Sequence, residues 1–154
     1  MEDTKQPVSS QPQDTAPMSV GGNRNAKNCP IGSDGVRDWS FGLFDCFGRC
    51  GLCCWATWCP CVVYGKNRQR LRSLRKQGTP LPGGGVRYDR HCCIFGALEI
   101  TGYNLGMQIH TREQVRERYS IRGNSTEDCA MSLCCRPCAL TQERREIELE
   151  ENSF

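Results

Sequence analysis

The chain has 154 residues, a formal charge of +3 and 38% hydrophobic residues, and 13 of its residues are cysteines. That composition fits one modest domain with thin aliphatic packing, and so small a net charge does not by itself argue for a partner. The opening stretch MEDTKQPVSSQPQDTAPMSV has no apolar core of a secretory signal, so the thiols are expected to be reduced and to face the cytosol rather than to form a disulfide framework.

In chain order, residues 1–36 carry Pro7, Pro12, Pro17 and Pro30 and no aromatic residue. They bury too little apolar surface to offset ordering and are expected to form a disordered arm. Trp39 to Cys50 is interrupted by Gly42 and Gly48, which predicts an irregular or short helical entry. The uncharged run from Cys50 to Gly65 is 16 residues long and contains Pro60, short of a bilayer span of about 20 residues. Pro60 suits a helix start, and the spacing predicts a helix from about Cys61 to Gln77 that stops at Gly78.

Within that helix the segment KNRQRLRSLRK supplies Lys66, Arg68, Arg70, Arg72, Arg75 and Lys76 without an acid. A basic run after an apolar one suits an anionic membrane surface. Without interleaved aromatics it gives no reason to expect nucleic acid. TPLPGGG, residues 79–85, reads as a loop. A helix through Ile94 to Ile109 follows, but Glu99 near the middle of the 92–109 run would cost several kcal/mol inside a bilayer. Interfacial association is therefore expected over spanning. Thr111 to Tyr119 is helical, Gly123 and Asn124 turn, and Ser125 with Asp128 resembles a capping box. A last helix should run from about Thr126 into ERREIELEE, whose acids read as a solvated face. The fold expected is mainly α: a small cysteine-rich helical domain with Pro/Cys knuckles over residues 37–147, the disordered arm before it and a charged tail over 148–154.

Two constellations carry chemistry. In CCWATWCPC, Cys53, Cys54, Cys59 and Cys61 surround Pro60; in DCAMSLCCRPC, Cys129, Cys134, Cys135 and Cys138 surround Pro137. Proline removes a backbone donor and bends the chain where the sulfurs gather. Four thiolates aimed at one point would hold zinc or another soft divalent ion and compensate for a thin core. The spacings are not the two paired CxxC steps of a zinc finger, so S-acylation and plain packing stay open beside metal. His91 and His110 are the only histidines, and no nucleophile, base and orienter stand together, so no enzymatic activity is expected.

The stretch DWSFGLFDCFGRCGLCCWATWCPCVVYGKN resembles the opening half of the cysteine-rich family named after placenta-specific protein eight, and RERYSIRGNSTEDCAMSLCCRPCALTQERRE is similar to its closing half. That family includes cornifelin, plant cadmium-resistance proteins and cell-number regulators. The resemblance implies a small membrane-associated, non-enzymatic protein, at the plasma membrane, tied to zinc or cadmium handling or to growth control. It also implies a possible homo-oligomer and carries the eight cysteines named above as the metal set. Members often have a further cysteine where this chain has Thr141, and the insert from Lys66 to His91 is longer than in the shortest members. The alternative it implies is a regulatory adaptor whose cysteines are structural or S-acylated.

Overall fold

The computed structural model describes residues 21–154, and these form six α-helices with two short 3-10 segments and no strand. After a 3-10 segment at Leu43–Arg49 come α1 (Cys50–Trp58), α2 (Pro60–Lys76), α3 (Arg90–Glu99), α4 (Asn104–Tyr119), α5 (Ser125–Cys134) and α6 (Arg136–Glu151). The mainly helical class expected from the sequence holds. Of the expected disordered arm, residues 1–20 lie outside the described residues. Residues 21–36 depart from it: Arg37 bridges to Ile31 and Ile121, the Asn23 amide donates to Ser153 Oγ at 2.6 Å, and Lys27 sits 4.1 Å over the Phe41 ring. Polar backbone contacts hold this segment where apolar burial would not.

Two expected helices are divided. The one placed over Ile94 to Ile109 breaks at 100–103, where Gly102 takes φ +76°, a left-handed conformation open to glycine. The one placed from Thr126 onward breaks at Cys135. Asn124, rather than Ser125, caps α5, its side chain accepting from the Glu127 amide at 2.8 Å.

α6 runs through the middle of the fold. One apolar cluster joins Leu71, Leu74, Val115, Tyr119, Ile121 and Ile147; a second joins Ala56, Val63, Tyr64, Phe95 and Leu140, with Tyr64 and Phe95 stacked at 4.2 Å. The expectation that ERREIELEE forms a solvated face is overturned: Glu143, Glu146 and Glu150 are buried. Each faces an arginine from another element. Arg37 meets Glu146 at 3.1 Å, Arg118 meets Glu150 at 2.6 Å, and Arg112 lies between Asp128 at 3.0 Å and Glu143 at 3.7 Å. Removing one member of such a pair strands a buried charge. The thin aliphatic core is thus completed by charge pairing along α6.

Candidate thiol centre and apolar rim

The two Pro/Cys knuckles are built alike. Cys59 ends α1 and opens α2 at φ −136°, ψ 66°; Cys135 ends α5 and opens α6 at φ −148°, ψ 85°. The amide of Cys59 donates to Trp55 O at 2.8 Å, and that of Cys135 donates to Met131 O at 3.1 Å. Each cysteine therefore closes one helix, and a proline at the first position of α2 (Pro60) or the second of α6 (Pro137) has no amide left to satisfy there. At the first hinge the 3-10 segment with α1 meets α2 at a bend of 112°. No single described helix is long and apolar enough to cross a membrane; this bent pair could do so by length and composition only.

Each hinge brings a sulfur to a thiol elsewhere. Cys61 lies against α3, close enough to buried Cys92 for the two thiols to interact. Cys61 packs against Gly96, where an added Cβ would stand 3.8 Å from Cys61 Sγ, an ordinary contact. Cys138 is joined to Cys135 in a disulfide and stands with its Sγ 3.4 Å from that of buried Cys46. Cys53 in turn stands close enough to Cys46 for the two thiols to interact. Of the eight cysteines expected as metal ligands, Cys53, Cys135 and Cys138 gather around Cys46. Cys59 caps α2 and Cys61 pairs with Cys92. Cys54 and Cys134 are exposed, and Cys129 is half-buried on α5. The free thiols expected at 135 and 138 are bonded to each other. Among the described residues no group of three or more His, Cys, Asp or Glu side chains stands ready to hold a metal ion.

Cys46 and Cys92 fall outside the motif-derived set. The trace of Cys46 in the sequence is its place seven residues before Cys53, at the start of the cysteine-rich run. Cys92 left none in its own neighbourhood: what places it is Gly65, where a Cβ would stand 3.0 Å from Cys92 Cβ, so α2 and α3 approach closely.

Burial, then Cys61, pushes the Cys92 thiol up to about 12; burial, then Cys46, pushes Cys53 up to about 11. Both hold their protons at neutral pH and are poor nucleophiles. A soft cation must displace those protons, so its binding strengthens as pH rises.

The hinges lie beside an exposed apolar rim. Phe47, Trp58, Ile94, Ile100, Tyr103 and Leu133 are all exposed, Trp58 at 83% and Ile100 at 91%. The Arg136–Glu99 pair, at 3.1 Å, ties the second hinge to the end of α3, and Cys61 against Gly96 ties the first hinge to it. Cys50, Cys54, Cys93 and Cys134, also exposed, share these elements. Exposed large apolar side chains on elements that meet at both hinges suit a contact with lipid or protein.

The basic run leads away from the rim. From Pro60 to Lys76, α2 rises roughly 24 Å at about 1.5 Å per residue. Arg70 is spent on Glu151 at 2.6 Å and Glu148 at 3.7 Å, and Arg68 donates to Gln114 at 2.7 Å. Lys66 lines a shallow pocket with Trp55 and Arg87, while Arg72, Arg75 and Lys76 surround a concavity shared with His91.

The PLAC8 family model matches residues 39–146. Cell number regulator 11 of Zea mays is 34% identical over 115 residues, covering 72% of this chain and 63% of the relative. Cell number regulator 7 of Zea mays is 34% identical over 123 residues, covering 77% and 64%. The protein PLANT CADMIUM RESISTANCE 2 of Arabidopsis thaliana is 32% identical over 111 residues, covering 72% and 67%. The matched region thus spans just under two thirds of the two maize relatives. No solved structure matches. Both proline-centred cysteine blocks and both hinges fall inside the family match, and the chain belongs to the PLAC8 family.

Proposed function

We propose that this protein is a non-enzymatic, membrane-surface handler of soft divalent metal ions, zinc or cadmium, at the cytosolic face of the plasma membrane. The observation that carries the reading is the coincidence of the apolar rim with both thiol hinges: the surface best suited to lipid is the surface that displays sulfur. Aromatic side chains such as Trp58 and Tyr103 suit the headgroup level of a bilayer, with an apolar body and a polar tip. The rim inserts at the interface and leaves α6, with its buried charge pairs, in the aqueous body. Support for metal as cargo comes from thiol chemistry, which selects soft cations over calcium and magnesium, and from the similarity to plant cadmium-resistance proteins. Zinc bound as a structural ion would use the same sulfurs.

The resemblance to cell number regulators supports a second reading, an adaptor for growth control in which the rim meets a protein, or a second copy of this chain, and the thiols only pack or carry acyl chains. Cellular cadmium content separates the two. In cells expressing the chain, metal handling predicts a cadmium content different from vector controls. Cys59→Ser and Cys61→Ser should abolish the difference while protein abundance holds. Unchanged cadmium content with the wild-type chain, at full abundance in the membrane fraction, would remove the metal reading and leave the adaptor.

A further inference from the structure

The densest sulfur cluster is assembled from three separate elements, and one covalent bond holds it shut. Cys46 comes from the 3-10 segment, Cys53 from α1, and Cys135 with Cys138 from the second hinge. Cys46 Sγ is 3.4 Å from Cys138 Sγ, Cys53 stands close enough to Cys46 for the two thiols to interact, and Cys135 and Cys138 are bonded. A tetrahedral thiolate site with metal–sulfur bonds near 2.3 Å sets its sulfurs roughly 3.8 Å apart. The Cys46–Cys138 separation is within a few tenths of an ångström of that edge. Cys135 and Cys138 also have the two-residue spacing common among zinc ligands, and their Cα atoms are 5.3 Å apart. Cys46 and Cys138 are buried whereas Cys53 and Cys135 are half-exposed, so an ion or a reductant can reach the cluster from its Cys53 and Cys135 side.

We propose that Cys46, Cys53, Cys135 and Cys138 form a four-thiolate site for a soft divalent cation, gated by the Cys135–Cys138 disulfide. The proposal rests on the metal-handling reading and specifies its site and regulation. With the disulfide closed, Cys135 and Cys138 have no thiolate to offer and the cluster is reduced to two thiols. A dithiol donor opens it: two electrons and two protons pass from the donor, the Cys135–Cys138 bond breaks, each sulfur leaves as a thiol, and the donor closes its own disulfide. The cation then displaces four thiol protons to solvent as four metal–sulfur bonds form. Reoxidation of the pair by a disulfide partner, which is itself reduced to a dithiol, withdraws two ligands and releases the ion. Binding would thus follow the thiol poise of the compartment.

The test is cadmium chloride titrated into the full chain in two forms, disulfide-closed and reduced with a thiol-free phosphine. Equilibrium dialysis and the cadmium–thiolate charge-transfer band in the ultraviolet supply the readouts. The expected result is about one additional tight equivalent in the reduced form. Cys46→Ser should weaken that equivalent by more than about 100-fold, beyond the 10–100-fold cost of an outer-shell change, while Cys129→Ser leaves it in place. If Cys46→Ser fails to fold, cadmium-113 resonance on the reduced wild type decides: a four-thiolate environment supports the site, and three or fewer sulfurs overturn it. Equal binding by both redox forms, or binding that survives Cys46→Ser, would sink the gated site while leaving metal handling intact. Binding by neither form would sink both.

Discussion

Glu143 shows how far burial can move a side chain from its ordinary chemistry. Its carboxyl is fully buried and raised from 4.5 to about 7, chiefly by desolvation, which the facing Arg112 and the Asn67 amide oppose and Asp128 reinforces. A carboxyl whose folded pKa lies above its unfolded value binds its proton more tightly when native. Its favourable contribution is present below about 4.5 and is lost as pH rises through about 7. Glu143→Gln keeps the shape without the charge, and Arg112 retains Asp128 at 3.0 Å and Gln142 at 2.7 Å. In urea unfolding the variant should match wild type near pH 5 and exceed it near pH 8 by on the order of 2 kcal/mol. Equal destabilisation at both pH values would mean that the carboxylate is ionised in the fold and that its pairing with Arg112 dominates. The sequence carried half of this information. Glu143, Glu146 and Glu150 recur at i, i+3 and i+7, a helical stripe, but an acidic stripe reads as solvent-facing until its arginines are located. Those come from residues 37, 112 and 118, separated from the acids by long stretches of chain.

At the scale of elements, the helix starts that depend on local chemistry were legible, and the breaks were less so. Pro60 marked the start of α2 and Gly78 its end, because proline and glycine act on their own backbone. The break between α3 and α4 was hidden, since Gly102 and Gly106 are each tolerated inside one helical pattern. The two glycines have different roles. Gly102 holds φ +76°, whereas a Cβ on Gly106, inside α4, would meet nothing within 4 Å. Thermal unfolding should therefore show Gly102→Ala destabilised by about 1 kcal/mol and Gly106→Ala stabilised by about 0.5–1 kcal/mol. Loss of stability in both would restore the continuous packing helix. The thiol hinges followed the same rule. Pro60 marks a helix start and Pro137 a bend inside one expected helix, but which sulfur each hinge meets depends on the approach of α3 and of the 3-10 segment. Cys92 and Cys46 were accordingly outside the expected set.

In the whole molecule, exposed apolar side chains stand by the sulfur-bearing hinges while the basic run extends along α2 from the first hinge, and that spacing decides how each would meet a membrane. With the rim at the interface, Arg75 and Lys76 stand roughly 20 Å beyond the start of α2, further than the Debye length of about 8 Å at physiological salt. Attraction through the basic run would be lost in salt; insertion of Trp58 and Ile100 would persist. Neither that spacing nor the gathering of sulfur at the hinges is written in any local stretch of sequence. Both arise from the angle at which α1 leaves α2 and from α3 packing back across the first hinge. The most direct measurement is flotation of the reduced, cadmium-loaded full chain with vesicles containing anionic lipid, with protein and cadmium assayed in the floated fraction at low and high salt. The account predicts that protein and about one cadmium per chain float together at both salt concentrations. It also predicts that Trp58→Glu combined with Ile100→Glu leaves the metal-bound protein in the unfloated fraction, while Arg72→Glu combined with Arg75→Glu changes little. Flotation that survives loss of the rim side chains, collapses in salt, or carries no cadmium would contradict it.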